Sequence, residues 1–126
     1  MAVTGIDHVQ VAAPAGCEAE ARAFYGDLLG MEELPKPEAL AARGGCWFAA
    51  GAQELHVGVE EPFTPARKAH PSFVVTDLDD VAARLSGAGF EVAYDDLIPG
   101  VKRFETTDPF GNRLEFRQAP EPGSPS

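Results

Sequence analysis

Four side chains in this sequence have the types and the spacing to do metal chemistry: His8, His56, His70 and Glu115. Three imidazoles and a carboxylate supply the mixed nitrogen and oxygen ligands that suit Zn²⁺, Ni²⁺, Fe²⁺, Co²⁺ or Mn²⁺; Mg²⁺ takes imidazole poorly. The intervals from 8 to 56 and from 70 to 115 are nearly equal. Such matched placement points to one site assembled from two similar halves, with one or two coordination positions left for water and substrate oxygens. Any one of the histidines alone reads as a hydrogen-bonded residue in a polar pocket; the set carries the metal reading.

These residues need strands to aim them. Strand side chains alternate between faces, so in Glu54–Val59 the apolar Leu55, Val57 and Val59 face a helix and His56 points the other way. In Arg113–Gln118, Leu114 and Phe116 face the core and Glu115 is opposite; His8 sits likewise among Ile6, Val9 and Val11. His70 is less well placed, because Pro71 follows it and Ser72, Phe73 and Val74 do not alternate cleanly. The same alternation puts Arg103 and Glu105 on the non-core face. Glu105 is there a candidate second acid or base, and Arg103 an anchor for an anionic substrate. Trp47 shares its side of a strand with the small Gly45 and Ala49, so it lines the cavity as a wall for a planar or apolar substrate portion. Cys46 faces the helix layer, with no adjacent histidine to generate a thiolate.

The remaining elements follow from pattern and punctuation. Residues 4–12 read as a strand ended by Pro14 and Gly16. Residues 17–29 read as a helix, with Ala21, Phe24, Tyr25 and Leu28 on one face and Gly30 as its C-terminal cap. A short strand at 31–34, broken by Pro35 and Pro37, and a hairpin of 45–50 with 54–60 complete the first half. Residues 61–68 link the halves. In the second half, 70–75 is a strand and Asp77 caps a helix carrying Val81, Ala82 and Leu85. Strands follow at 90–94, 101–107 and 113–118. Each half is therefore strand, helix and three strands, in a single domain over 1–118 with module one at about 3–60 and module two at about 69–118. The Pro-, Glu-, Gly- and Ser-rich tail, 119–126, is expected to be disordered.

Composition bounds the partners. The net charge of −10, with ten Lys and Arg against twenty Asp and Glu, disfavours nucleic acid and anionic membranes, which need clustered cations. No long apolar run or secretion signal is evident, and two cysteines without Cys-x-x-Cys spacing fit a cytoplasmic protein with reduced thiols. The expected partner is a small molecule.

In their order, several short motifs resemble one family: Ile6-Asp7-His8-Val9, the run from Phe24 to Met31, Glu54-Leu55-His56, His70-Pro71-Ser72-Phe73, Asp77-Leu78-Asp79 and the run from Asp108 to Glu115. Over about Thr4 to Arg117 the chain resembles the vicinal oxygen chelate superfamily, the glyoxalase, bleomycin-resistance and dioxygenase group. The resemblance implies an α+β fold of two βαβββ modules forming a cupped, partly open β-barrel around a central cavity. It also implies a divalent metal held by His8, His56, His70 and Glu115, a homodimer, and a metal-dependent lyase or isomerase. Glu115 would double as a proton carrier, with the metal a Lewis acid for a substrate's oxygens. Position 56 departs from the pattern: glyoxalase-type lyases usually carry Glu there, epimerase-like members Gln, and fosfomycin thiol transferases no ligand. Alternatives within the resemblance are a thiol transferase or dioxygenase using three of the ligands, and an antibiotic- or aromatic-compound-binding protein without catalysis.

Overall fold

A computed structural model describes residues 2–121; of the tail expected to be disordered, 122–126 lie outside the described residues. The first module begins with strand β1 (His8–Ala13), followed by a short helix α1 (Glu18–Ala21) that continues as a π-helical stretch, Arg22–Leu28. Then come β2 (Glu33–Leu34), a one-turn helix α2 (Glu38–Ala41), β3 (Cys46–Ala50) and β4 (Gln53–Val59). The second module runs β5 (Ser72–Val75), α3 (Leu78–Gly87), β6 (Ala93–Asp95), β7 (Arg103–Thr107) and β8 (Arg113–Gln118). The fold class is α+β, and both modules build the same sheet. The first is ordered β1-β4-β3-β2 and the second β5-β8-β7-β6, each with one parallel pair and two antiparallel pairs.

Alternation decides which face of each sheet is buried. In the first, Val11 and Ala13 of β1, Cys46 and Phe48 of β3, and Leu55 and Val57 of β4 are buried. The helical segment adds Ala21, Phe24 and Tyr25 at the three- and four-residue spacing that puts side chains on one face. In the second sheet Phe104, Leu114 and Phe116 are buried, as are Leu78, Ala82 and Leu85 of α3, which packs on β8. Phe104 stacks on Phe116 with centroids 5.1 Å apart. Fully burying each such ring stabilises the fold by about 1.5–3 kcal/mol.

Helix ends and turns obey local chemistry. Asp77 Oδ1 accepts the Asp80 amide at 3.1 Å, capping α3 as its position predicts. Gly30 ends the first helical segment with φ +78°. Gly45 has φ +88°, and a Cβ there would lie 2.1 Å from the Val57 carbonyl oxygen, so no other residue lets β3 start so close to β4. The turn Pro109–Asn112 belongs to the first compact unit. Asn112 ties it there, donating to the Ala12 carbonyl at 2.8 Å and accepting the Ala66 amide at 3.0 Å.

α2 was not anticipated; Pro37, extended at φ −55° and ψ 143°, sits at the position before its first turn. The strand expected from His70 begins only at Ser72, because Pro71 has no N–H to give and contributes only its carbonyl, to the Glu115 amide.

Candidate functional site

The face of the first sheet opposite its core carries a stack of three rings. β1 and β4 run parallel with His8 beside Glu54 and Gln10 beside His56, while Trp47 of β3 lies opposite His56. These registers place the rings in line. His56 lies between His8 (centroids 4.1 Å apart, planes 13° apart) and Trp47 (4.1 Å, 5°). His56 is only 5 % exposed, His8 is exposed and Trp47 half-buried. A carboxylate only accepts, so His56 must donate from Nε2 to Glu54 Oε1, 2.9 Å away. Gln10 extends along the same face over Gly58, where a Cβ would come within 2.7 Å of the Gln10 carboxamide.

The corresponding face of the second sheet is built from charge. Arg103 lies opposite Arg117, Glu105 opposite Glu115, Asp95 opposite Arg103 and Ser72 beside Glu115. Arg103 forks onto Asp95 through Nε and Nη2, both at 2.9 Å, and donates from Nη1 to Glu115 Oε1. Arg117 Nε donates to Glu115 Oε2 at 2.6 Å, and Ser72 Oγ donates to the same oxygen. Arg113 makes a two-pronged pair with Glu105, at 2.9 and 2.8 Å. Glu115 is 2 % exposed. Burial alone pushes its pKa up, but the hydrogen bonds from Ser72, Arg117 and Arg103 outweigh that and hold it down at about 2.

The strand pairings of the two sheets correspond residue for residue. The Glu54 amide donates to the Asp7 carbonyl as the Glu115 amide does to that of Pro71. Glu54 therefore corresponds to Glu115, His8 to Ser72, His56 to Arg117 and Trp47 to Arg103. This differs from the expected matching of His56 with Glu115 and of His8 with His70. Glu54 was missed, although its signal was present: in Glu54-Leu55-His56 an outward His56 implies an outward Glu54.

Each of the four expected ligands already has a hydrogen-bond partner within its own unit. His8 and His70 each meet one requirement, because their Nδ1 atoms donate to Asp7 Oδ2 and to the Lys68 carbonyl, both at 2.9 Å, leaving Nε2 as a lone pair. His56 has the reverse arrangement: its Nε2 donates to Glu54, which leaves the lone pair on Nδ1. Nearly parallel rings 4.1 Å apart, as His8 and His56 are held, cannot share an ion, which must lie close to both ring planes. Glu115 has both oxygens committed to cations and a hydroxyl. Among the described residues, no group of three or more His, Cys, Asp or Glu is gathered to hold a metal. The other expected site residues are also engaged: Glu105 gives both oxygens to Arg113, and the Arg103 charge is shared between Asp95 and Glu115. Burial pushes the Cys17 thiol up to about 11 and raises that of Cys46, so neither offers a thiolate nucleophile.

No helix among the described residues is long and apolar enough to cross a membrane. None of the curated proteins compared with the chain matches it. Among solved structures, a protein from Bacillus anthracis described at the level of the glyoxalase family shares 58% identity over 94% of this chain and 97% of its own, with a TM-score of 0.89. A lactoylglutathione lyase from Agrobacterium tumefaciens (21% identity, 98% and 100% covered, TM-score 0.72) and the antibiotic binding protein TnmS3 from Streptomyces sp. CB03234 (22%, 95% and 99%, 0.73) share the fold. The model of the Glyoxalase/Bleomycin resistance protein/Dioxygenase superfamily matches residues 5–116, and the chain belongs to that superfamily.

Proposed function

We propose that the chain binds a planar, oxygen-bearing small molecule against the ring stack of its first sheet. One observation carries this reading: His8, His56 and Trp47 stack at 4.1 Å spacings on the face opposite the core, and the end ring, His8, is exposed. A flat ligand laid on His8 extends an existing stack and needs no reordering of the rings beneath it. Glu54 and Gln10 beside the stack accept from and donate to hydroxyl or carbonyl groups at the ligand's edge. The chain's net charge of −10 favours neutral or cationic ligands. The antibiotic-binding neighbour on the same fold is consistent with such a ligand.

The competing reading is the metal-dependent lyase or isomerase, favoured by the free Nε2 atoms of His8 and His70 and by the lyase among the fold's neighbours. It requires His56 to ligate through Nδ1 or to turn away from Glu54, and Glu115 to leave two arginines. Trp47 is the sole tryptophan, so its fluorescence reports on the stack directly. Titration with a small hydroxyquinone, in chelator, should give saturable quenching, weakened roughly tenfold or more by His8→Ala. Binding that appears only when a divalent metal is added, or conversion of an added hemithioacetal, would favour the lyase or isomerase.

A further inference from the structure

We propose that Arg103 and Arg117 take the place of a divalent cation at Glu115, so that this glutamate is the centre of a closed ion-pair network and not a metal ligand. The first argument is occupancy. Glu115 Oε1 accepts from Arg103, and Oε2 accepts from both Ser72 and Arg117. An ion would have to displace a charged donor whose own position is fixed elsewhere, because Arg103 is forked onto Asp95 through its other two nitrogens.

The second argument is charge. Three carboxylates (Asp95, Glu105, Glu115) face three guanidiniums (Arg103, Arg113, Arg117) on this sheet face, and every one of them is paired. The set is neutral as it stands. A divalent ion would leave two uncompensated positive charges beside groups that are 2 % and 9 % exposed, an arrangement that burial penalises heavily.

The third argument is the repeat. The carboxylate is present at the same register position in both sheets, as Glu54 and Glu115. Where the second sheet places Arg103 and Arg117, the first places Trp47 and His56. Glu54 has one imidazole partner and is 38 % exposed. The cations therefore accompany only the carboxylate that is buried, as a charge-compensating role demands.

The test begins with the wild-type protein, purified without a metal column, stripped with chelator and crystallised with Zn²⁺ or Co²⁺. Anomalous scattering should show no ion bonded to Glu115 and both arginine contacts intact. An ion about 2.0–2.2 Å from a Glu115 oxygen would overturn the proposal. In parallel, metal affinity and Tm are compared for wild type and Glu115→Gln. The two should take up Zn²⁺, Ni²⁺, Co²⁺ or Mn²⁺ identically, while the variant melts several degrees lower whether or not metal is present. A Tm rise of roughly 10 °C on adding metal to the wild type, absent from a folded Glu115→Gln, would also overturn it. Glu115→Asp serves as a further variant should the glutamine form fail to fold. It shortens the reach to both arginines, and an affinity for metal equal to that of wild type is again the expected result, with a tenfold loss the contrary one.

Discussion

Two sheets with one topology carry opposite chemistry on the faces turned away from their cores. On the first, His8, His56 and Trp47 make a stack of rings edged by Glu54. On the second, the same register positions hold Ser72, Arg117 and Arg103 around Glu115. The backbone thus specifies where side chains meet, and their identity decides what the meeting does. Rings in a stack present a surface that a flat molecule can join. An ion-pair network presents none, because each of its charged groups already has a partner of opposite sign.

The strongest test of this contrast is Glu115→Ala. It leaves Arg103 buried without its second carboxylate and Arg117 without its partner, and breaking a buried pair costs about 3–5 kcal/mol. Urea unfolding should show that loss as a lower midpoint with an unchanged slope. A variant as stable as wild type would mean that the network contributes nothing to folding.

Much of this was legible in the sequence. Face alternation around Leu55, His56 and Val57, and around Leu114, Glu115 and Phe116, is a local property of strands and holds in the structure. The helix cap at Asp77 is local too. What the sequence hides is register, which depends on hydrogen bonds between strands far apart in the chain. Matching His8 with His70 by interval overlooks Pro71, and only the pairing of Ser72 with Glu115 shows that a serine stands where the first sheet has its histidine. The ion pairs had a readable trace in Arg113-x-Glu115-x-Arg117, three alternating charges on one face. Which cation would hold which carboxylate was not readable, since Asp95 and Arg103 enter from other strands.

Acid should separate the two sheets next. The Glu115 carboxyl sits at about 2 in the folded protein against an ordinary 4.5. A carboxyl with a lowered folded pKa stabilises above its unfolded value and loses that contribution as pH falls through the folded one. Its contribution, about 3 kcal/mol, is therefore complete above about pH 4.5 and disappears between about pH 4.5 and pH 2. The groups facing it are Ser72, Arg103 and Arg117, with Asp95 and Glu105 behind Arg103. Chemical unfolding at a series of pH values should show wild type losing stability over that window. Glu115→Gln should lose less over the same interval, and parallel curves would assign the acid sensitivity elsewhere.

Arg103→Lys is a smaller perturbation that keeps the charge. An ammonium is a point donor and cannot fork onto Asp95 while also reaching Glu115. Tm should fall by a few degrees, less than in Glu115→Ala, and ligand quenching of Trp47 should be unaffected. A variant that melts like wild type would show that charge alone suffices and the fork geometry does not matter.

The smallest effect is expected at Glu54→Ala, the register equivalent of the largest. Glu54 is 38 % exposed and its one partner is His56. Removing it leaves the imidazole stacked between His8 and Trp47. The loss strands the Nε2 donor of buried His56, but water can enter the half-exposed place that Glu54 vacates, so unfolding should change by about 1 kcal/mol, the low end for an unsatisfied buried donor. Ligand binding should weaken more than stability, because the carboxylate is one of the polar groups at the edge of the stack. If Glu54→Ala instead cost as much as Glu115→Ala, the two carboxylates would be structural equals. The division into a binding sheet and a locked sheet would then fail.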